Sequence, residues 1–395
     1  MNRVPGLALG TVGLALLLTA AHSANDGYAN LLPVFLPALQ ERFGLREVGL
    51  ASLVAVISVS SNVLQPFFGA IADAWGRRRS AAIGLVAGSL LMTLVPVASS
   101  VPLLVGLLAV GGLGSALFHP AAVSLAHAIG RRKGLIVGFF TAGGPLGSAV
   151  APIAVLFVVR EFGSTFVPAL AAVGLTLALL LVALMPRGPS PSSPRRGRWL
   201  EPRLFFGPVG VLALAGILRS LSFISVVNAK PILLVSQKGF AVDAPVIGWT
   251  LSLYNASAAA GVLLAGTFEA RIGRRRLVVY SMLAALPLLF ASLYAVPGTA
   301  LFAAVVFLAG LLSNASVPIL VVTAQDLAPQ AIATASGMLL GFTWGMAGVL
   351  YIAFGGLQEV IGIAPGMAIS FLFILPAAWL AHSVFRSQGE RISSS

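Results

Sequence analysis

Two ionisable side chains stand in an otherwise apolar stretch near the start of the chain. His22 and Asp26 are four positions apart, a spacing that places two side chains on one face of a helix. Ionisable groups are costly in apolar surroundings, so their presence indicates a function. Each of the two can take up and release a proton, and Asn25 stands beside them. These residues form the first candidate site; the alternative is that Asp26 only lies in a hydrated vestibule.

Three more ionisable residues interrupt apolar stretches, namely His119, Arg219 and Lys230. His119 precedes a proline that can bend its helix, and it could carry a proton, donate a hydrogen bond to a ligand or pack as a satisfied core histidine. Arg219 and Lys230 are eleven positions apart, which returns to nearly the same helix face. A cation there could neutralise Asp26 or bind an anionic group. Lys230 could instead extend its amine to water at the end of its stretch.

The chain offers little else that could do chemistry. It contains no cysteine, which excludes disulfides, thiolate metal sites and cysteine nucleophiles. It also lacks the residue spacings of zinc sites, phosphate-binding loops and nucleophile constellations. The sequence therefore predicts neither an enzyme nor a bound metal or cofactor. Without a nucleotide-binding module, any energy input must come from an ion gradient, and the sparse acids favour the proton.

Composition determines which elements position these residues. Of the 395 residues, 58% are hydrophobic and 9% are charged, and the mean hydropathy is +1.00. A soluble domain carries about 25% charged residues, because water must solvate its surface. A chain this poor in charge needs lipid as its solvent, so it is predicted to be a multi-pass membrane protein that binds no nucleic acid, despite its formal net charge of +13.

The apolar runs are long enough to be membrane-spanning helices. A bilayer core about 30 Å thick requires about 20 apolar residues in each helix. The first run is long for a single span, so we expect it to bend around Gly27 and Pro33. The sequence predicts twelve spans, near residues 7–39, 47–72, 80–98, 102–127, 133–159, 164–185, 205–231, 244–268, 277–295, 299–323, 331–355 and 361–384.

Basic residues give the orientation of these helices, because cytoplasmic loops are enriched in lysine and arginine. Eighteen basic residues fall on one side of the predicted spans and four on the other. The eighteen are Arg3, Arg77, Arg78, Arg79, Arg131, Arg132, Lys133, Arg187, Arg195, Arg196, Arg198, Arg203, Arg271, Arg274, Arg275, Arg276, Arg386 and Arg391, and the four are Arg42, Arg46, Arg160 and Lys238. Both termini are therefore predicted to be cytoplasmic.

One long polar segment, residues 186–203, divides the chain. It is rich in proline, serine and arginine and is predicted to be a cytoplasmic linker between six-helix bundles at residues 1–185 and 204–395. A loop motif repeats in both halves, 197 positions apart, which indicates two pseudo-symmetric bundles with a pathway between them. The first copy reads Gly69-Ala-Ile-Ala-Asp73-Ala-Trp-Gly76-Arg77-Arg78-Arg79, and the second runs from Gly266 to Arg276 with Ala270 in place of Asp73.

The first copy of this motif resembles the signature loop of the major facilitator superfamily of transporters. The resemblance implies an all-α membrane fold with twelve transmembrane helices in two six-helix bundles. It also implies that Gly69, Asp73, Gly76, Arg77 and Arg78 contribute to a cytoplasmic gate. The alternative is that the arginines only fix the topology of the loop.

Four further segments are similar to the fosmidomycin-resistance family of drug exporters. They are residues 21–26 (AHSAND), 118–120 (FHP), 324–329 (AQDLAP) and 336–348 (SGMLLGFTWGMAG). Asp326, at the cytoplasmic end of the tenth predicted helix, is a further gate or capping residue. Residues 138–147 are similar to the glycine–proline motif of antiporters, in which Gly143, Pro145 and Gly147 allow close helix contact, although small-residue packing alone also explains the spacing.

These patterns together predict a proton-coupled antiporter in the cell inner membrane. It would export a small drug-like or anionic compound by alternating access, as a monomer without a cofactor. The nearest alternative is a proton symporter that imports a small metabolite on the same fold. A membrane-embedded enzyme or a non-transporting sensor is disfavoured, because no cluster of reactive residues appears in the sequence.

The split of the basic residues predicts where fused reporters will lie. A reporter placed after Pro186 and another at the C-terminus should both report the cytoplasm, because each follows an even number of predicted spans. The measurement is the activity of a compartment-specific enzyme fusion. A periplasmic signal from either fusion would contradict twelve spans in two bundles.

Overall fold

The computed structural model describes residues 10–129, 133–186 and 202–393, and every regular element within these ranges is helical. Two π-helical segments, Val59–Val63 and Met338–Phe342, and two 3₁₀ segments, Val95–Val97 and Ser164–Leu170, accompany the α-helices. The α-helices are α1 Thr11–Ala29, α2 Leu32–Phe43, α3 Glu47–Ser58, α4 Gln65–Trp75, α5 Arg77–Thr93, α6 Val101–Ala128, α7 Lys133–Phe162, α8 Ala171–Leu184, α9 Pro202–Phe205, α10 Pro208–Ser236, α11 Pro245–Ile272, α12 Arg274–Tyr294, α13 Ala300–Ala315, α14 Val317–Leu327, α15 Ile332–Gly337, α16 Thr343–Ile361, α17 Ile363–Leu372 and α18 Ile374–Ser393.

Most of the predicted membrane spans correspond to long apolar helices. Among the described residues, ten helical segments are long and apolar enough to cross a membrane, and the pair Glu47–Val63 and Gln65–Trp75, bent by 47°, could form an eleventh. The first predicted span corresponds to α1 and α2, which fall outside this set; the polar residues within α1 lower its hydropathy. Residues 1–9 lie outside the described part, and the number twelve stays a prediction.

The first predicted span is interrupted where the sequence suggests. α1 ends at Ala29 and α2 begins at Leu32, so the break falls between Gly27 and Pro33. The side-chain amide of Asn30 donates to the carbonyl of Asp26 at 2.8 Å and satisfies one of the free carbonyls at the end of α1. Pro33 stands in the first turn of α2, where its missing N–H costs no helical hydrogen bond.

The described residues form two compact units. Unit 1 contains residues 10–32, 64–129 and 133–186, and unit 2 contains residues 33–63 and 202–393. α3, which the sequence assigns to the N-terminal bundle, therefore packs with helices of the C-terminal half. The predicted division into residues 1–185 and 204–395 stays a prediction, because most of the linker between them, residues 187–201, lies outside the described residues.

In unit 1, α1 and α7 approach each other closely enough for their backbones to touch. A Cβ added at Gly143 would lie 2.6 Å from the carbonyl oxygen of Thr19, and one added at Gly147 would overlap the carbonyl oxygen of Ser23. The Ser23 hydroxyl also donates to the carbonyl of Gly143 at 2.7 Å. Small residues at this spacing allow such contact between membrane helices.

In unit 2, glycines of α16 bring it against α3. A Cβ added at Gly348 would overlap the Ser58 side chain, and one at Gly355 would lie 2.6 Å from the Ala51 Cβ. At the start of α3, the Glu359 carboxylate accepts the N–H of Val48 at 2.9 Å. Glu359 also forms an ion pair with Arg46 at 2.7 Å, in which the Glu359 side chain is only 10% exposed. A carboxylate there also stabilises the helix dipole of α3.

The α1–α7 contact predicts unequal effects of two alanine substitutions on the same helix. Gly147→Ala should lower the free energy of unfolding by about 1–3 kcal/mol, because the new methyl group meets a backbone that cannot rotate away. Gly138→Ala is the matched control, since nothing lies within 4 Å of its added Cβ and the helix-propensity gain is the same. The measurement is the apparent melting temperature of both purified variants in detergent.

A Gly147→Ala variant that melts at or above the temperature of the parent would contradict the close approach of α1 and α7. Equal losses of stability in both variants would show instead that alanine disturbs α7 in general.

Candidate functional site

Residues that stand far apart in the sequence lie together in unit 1. The Nε2 atom of His119 lies 3.1 Å from one oxygen of the Asp26 carboxylate, and the Nε2 atom of His22 lies 3.4 Å from the other. The side-chain amide of Asn25 donates to the first of these oxygens at 3.0 Å. α1 provides His22, Asn25 and Asp26, and α6 provides His119. We call His22, Asp26 and His119 the His–Asp cluster.

Backbone carbonyls orient both histidines of the cluster. Nδ1 of His22 donates to the carbonyl of Phe140 at 2.7 Å, and Nδ1 of His119 donates to the carbonyl of Ser115 at 2.9 Å. Because a carbonyl oxygen can only accept, each Nδ1 carries a hydrogen. Each Nε2 therefore faces a carboxylate oxygen, and this contact is favourable only when a second proton or another cation lies between them.

Two residues that the sequence did not single out support the cluster. Phe140 of α7 stacks on the His22 ring, with centroids 4.3 Å apart. Ser115 of α6 accepts a hydrogen bond from the Asn25 amide at 3.0 Å. The amide oxygen of Asn25 is buried without a hydrogen-bond partner among the described residues. A serine and a phenylalanine within apolar helices carry no signal that could have marked them beforehand.

Gly144 of α7 leaves the space that the cluster fills. A Cβ added there would overlap an oxygen of Asp26 and lie 2.9 Å from Cε1 and Nε2 of His22. The sequence predicts packing roles for Gly143 and Gly147, and nothing in it shows that the glycine between them faces ionisable side chains. Pro145 follows directly, so the residue of α7 that lies against the His–Asp cluster is part of the antiporter-like motif.

The cluster is largely buried and still reachable. The exposed fraction of the side chain is 9% for His22, 21% for Asp26 and 25% for His119. One carboxylate between two imidazoles can share a proton with either ring. One ligand atom from each of the three residues lies within 4.8 Å of the other two, so a small cation could also contact all three.

Arg219 is a buried cation on α10 of unit 2. Its guanidinium donates to the carbonyl of Ser313 and to the side-chain oxygen of Asn314 at 3.1 Å, and to the hydroxyl of Ser220 at 2.8 Å. The face of the Trp344 ring lies 5.3 Å from its Cζ. The residue is 2% exposed, and no carboxylate of a described residue lies within 4.0 Å of it. Its charge is therefore balanced by neutral dipoles and an aromatic ring.

Lys230, eleven residues further along α10, has similar surroundings. It is 2% exposed, donates to the carbonyl of Ser292 and lies 5.4 Å from the centre of the Phe302 ring. This burial does not fit an amine that extends to water at the end of a span. Arg219 and Lys230 are held by groups of unit 2, whereas Asp26 is held by histidines of unit 1, and neutralisation of Asp26 by Arg219 stays a prediction.

The first copy of the loop motif is held by contacts within unit 1. Nε of Arg77 lies 3.3 Å from the Asp73 carboxylate, and both side chains are well exposed. Arg78 donates to the carbonyl of Met185 at the end of α8, at 3.1 Å. Gly76 joins α4 to α5 with a φ of 94°, a conformation that favours glycine. A Cβ added at Gly69 would touch Pro120 at 3.5 Å.

The second copy is built differently in unit 2. Arg274 stands where the first copy has Arg77, and it contacts Glu269 at 2.6 Å and Asp326 at 2.5 Å. The sequence gives the second copy no acid at the position of Asp73, but Glu269, one residue earlier, pairs with the arginine. Asp326 of α14 therefore contacts the second copy of the loop motif through Arg274. Its predicted role as a gate or capping residue stays a prediction.

Solved transporter structures have a similar fold. A variant of the nucleoside transporter NupG superimposes with a TM-score of 0.79 at 16% identity, covering 94% of this chain and 99% of that one. A bacterial homologue of the human lysosomal transporter Spinster, in an inward-facing and occupied conformation, gives a TM-score of 0.77 at 16% identity, covering 95% and 97%. At these identities the likeness concerns the fold alone.

Two curated relatives align with most of the chain. An uncharacterised MFS-type transporter of Bacillus subtilis (strain 168), YfnC, is 26% identical over 392 residues, covering 92% of this chain and 90% of that protein. The fosmidomycin resistance protein of Escherichia coli (strain K12) is 25% identical over 351 residues, covering 85% and 84%. The family model of the Major Facilitator Superfamily matches residues 15–352. The chain therefore belongs to the major facilitator superfamily, and it is a membrane transporter for small molecules rather than an enzyme.

Proposed function

We propose that the chain is a proton-coupled antiporter that exports a small drug-like or anionic compound by alternating access. The observation that carries this proposal is the His–Asp cluster, a carboxylate placed between two imidazoles inside a membrane protein. Ionisable groups in such a position are rare and mark ion pathways. The cluster residues are therefore the proposed proton-coupling site, with Asn25 as its hydrogen-bonding neighbour.

Coupling requires that the proton changes which conformation is stable. The carboxylate of Asp26 holds α1 to α6 through His119 when a proton lies between them, and loses that attraction when the cluster is deprotonated. A bound proton can therefore favour one packing of these helices over another. A ligand that prefers one of two conformations shifts the equilibrium between them, and protons and substrate then affect each other's binding.

Export is proposed over import on two grounds. Gly143, Pro145 and Gly147 match the antiporter-like motif, and α7 touches the helix that carries Asp26. The E. coli relative is named for resistance to fosmidomycin, which makes this drug the first compound to test. The alternative, a proton symporter that imports a metabolite, differs in the direction of coupled flux. Vesicles of known orientation with an imposed proton gradient distinguish the two.

Two basic residues of α10 without a carboxylate partner among the described residues favour the proposal of an anionic substrate. A buried guanidinium or ammonium group without a carboxylate is costly in a membrane protein. Arg219 and Lys230 each contact only neutral oxygens and an aromatic face among the described residues. An anion bound near either residue would remove part of this cost, so both are proposed substrate-binding residues.

The remaining features of the proposal concern the membrane arrangement. The chain would cross the cell inner membrane twelve times as two six-helix bundles, with both termini in the cytoplasm, and act as a monomer. The split of the basic residues and the repeated loop motif support this arrangement. Gly69, Asp73, Gly76, Arg77, Arg78 and Asp326 would form the cytoplasmic gate.

The coupling role of Asp26 predicts a specific defect. Asp26→Asn should reduce gradient-driven fosmidomycin flux to that of vesicles without the protein, because the amide cannot take up or release a proton. The amide has nearly the same shape as the carboxylate, so the variant should still fold. Exchange without a gradient should persist, because the helices can still reorient. The measurement is drug uptake into inside-out vesicles with and without an imposed proton gradient.

Asp243→Asn is the matched control for this experiment. Asp243 lies in the loop between α10 and α11 and forms no ion pair with any described residue, so its flux should equal that of the parent. Full gradient-driven flux in Asp26→Asn would place proton coupling elsewhere, and His119 would be tested next.

The proposed gate predicts a different kind of defect for Asp73→Asn. An exposed ion pair such as Asp73–Arg77 contributes about 0–1 kcal/mol to folding, so the variant should insert and melt like the parent. Its maximal transport rate should fall, because the loop can no longer stabilise one conformation. Transport equal to that of the parent at every substrate concentration would leave the loop as a topology signal only.

A further inference from the structure

The three residues of the His–Asp cluster offer one ligand atom each, and these atoms converge. Two imidazole nitrogens and a carboxylate oxygen lie within 4.8 Å of one another. This set of two nitrogens and one oxygen is typical of zinc and other late transition metals, and unlike the all-oxygen sites of magnesium or calcium. We infer that His22, Asp26 and His119 bind a divalent transition-metal ion such as Zn²⁺, which takes the place of the proton in the cluster.

The distances in the cluster fit such an ion. Zinc binds histidine nitrogen and carboxylate oxygen at about 2.0–2.2 Å, so two ligand atoms of a tetrahedral site are about 3.3–3.5 Å apart. The Nε2 atom of His22 is 3.4 Å from one oxygen of Asp26, and that of His119 is 3.1 Å from the other. The three ligand atoms lie within 4.8 Å of one another, so the ion would draw them together by about 1 Å or less.

The histidines are already oriented as metal ligands. Metal-bound histidine almost always donates its second ring N–H to a carbonyl or a carboxylate, which fixes the tautomer and the ring plane. Here the Nδ1 atom of His22 donates to Phe140, and that of His119 donates to Ser115. In the neutral rings, each Nε2 atom therefore carries a lone pair that an ion can bind.

The site is accessible and provides three protein ligands only. The exposed fractions of Asp26 and His119, 21% and 25%, leave part of the cluster open to an ion. Three ligands leave a fourth tetrahedral position for water, as in zinc sites that exchange ligands. The backbone of α7 at Gly144 also borders the cluster, and the missing side chain there leaves room beside Asp26 and His22.

The test uses Co²⁺, whose visible absorption is strong in tetrahedral sites and weak in octahedral ones. The full chain is purified in detergent through a tag without histidine and titrated at neutral pH, with Zn²⁺ added last as competitor. We expect one Co²⁺ per chain with tetrahedral absorption that Zn²⁺ removes. The chain has no cysteine and four histidines, so the background from other ligands is small.

Two sets of variants assign the signal. Asp26→Asn and, as a second variant in case the first does not fold, His119→Gln should each weaken Co²⁺ binding at least about 10-fold. His127→Gln with His382→Gln removes the two histidines outside the cluster and should leave the titration unchanged. Absence of tetrahedral absorption in the parent, or equal binding by the parent and a folded cluster variant, would overturn the inference.

The outcome is separable from that of the proposed transport function. If the parent binds metal and its Asp26→Asn variant keeps full flux, the metal site is upheld and proton coupling does not depend on Asp26. Loss of flux in that variant, without metal binding by the parent, would do the reverse.

Discussion

The contact between α1 and α7 is the constraint on which the candidate site depends. At Gly143 and Gly147 the two backbones meet without intervening side chains, which fixes the distance between the helices. That distance places the carbonyl of Phe140 within reach of His22 and leaves no room for a side chain at Gly144. The glycines thus pack the helices, orient one imidazole and shape the space around the carboxylate at the same time.

Buried charge is handled in opposite ways by the two units. In unit 1 a carboxylate is enclosed by two imidazoles, and its energy depends on whether a cation lies between them. In unit 2 two basic side chains, Arg219 and Lys230, are surrounded by carbonyl, hydroxyl and amide oxygens and by aromatic rings. Since burying an unpaired ion costs several kcal/mol even after relaxation, both arrangements favour a further charged partner. The first arrangement favours a cation and the second an anion, which is what the proposed coupling of a proton to an anionic substrate needs.

The sequence predicts what depends on spacing along one helix and misses what depends on packing between helices. His22 and Asp26 could be paired from their separation alone, because the helical period determines which side chains share a face. His119 contacts the same carboxylate only because α6 packs against α1. No local sequence pattern predicts this packing. For the same reason the absence of zinc-like spacing indicated no metal site, although the ligand atoms of three residues converge. The burial of Lys230, which disfavours its alternative role as an amine extended to water, likewise depends on packing against α12 and α13.

Internal repeats show where prediction from symmetry ends. Gly341 and Gly345 repeat the spacing of Gly143 and Gly147, but a Cβ added at Gly345 would overlap Val63, at the end of the π-helical segment that follows α3.

The repeated glycines therefore join α7 to a helix of its own sequence half and α16 to a helix of the other half. The loop motif diverges similarly: Arg77 has one acidic partner, whereas Arg274 has two, one of them from α14. The two copies share the spacing that forms helices and loops, which depends on local geometry. The partners of each element depend on surfaces that the two halves do not share, so a role assigned to one copy has to be argued again, contact by contact, for the other.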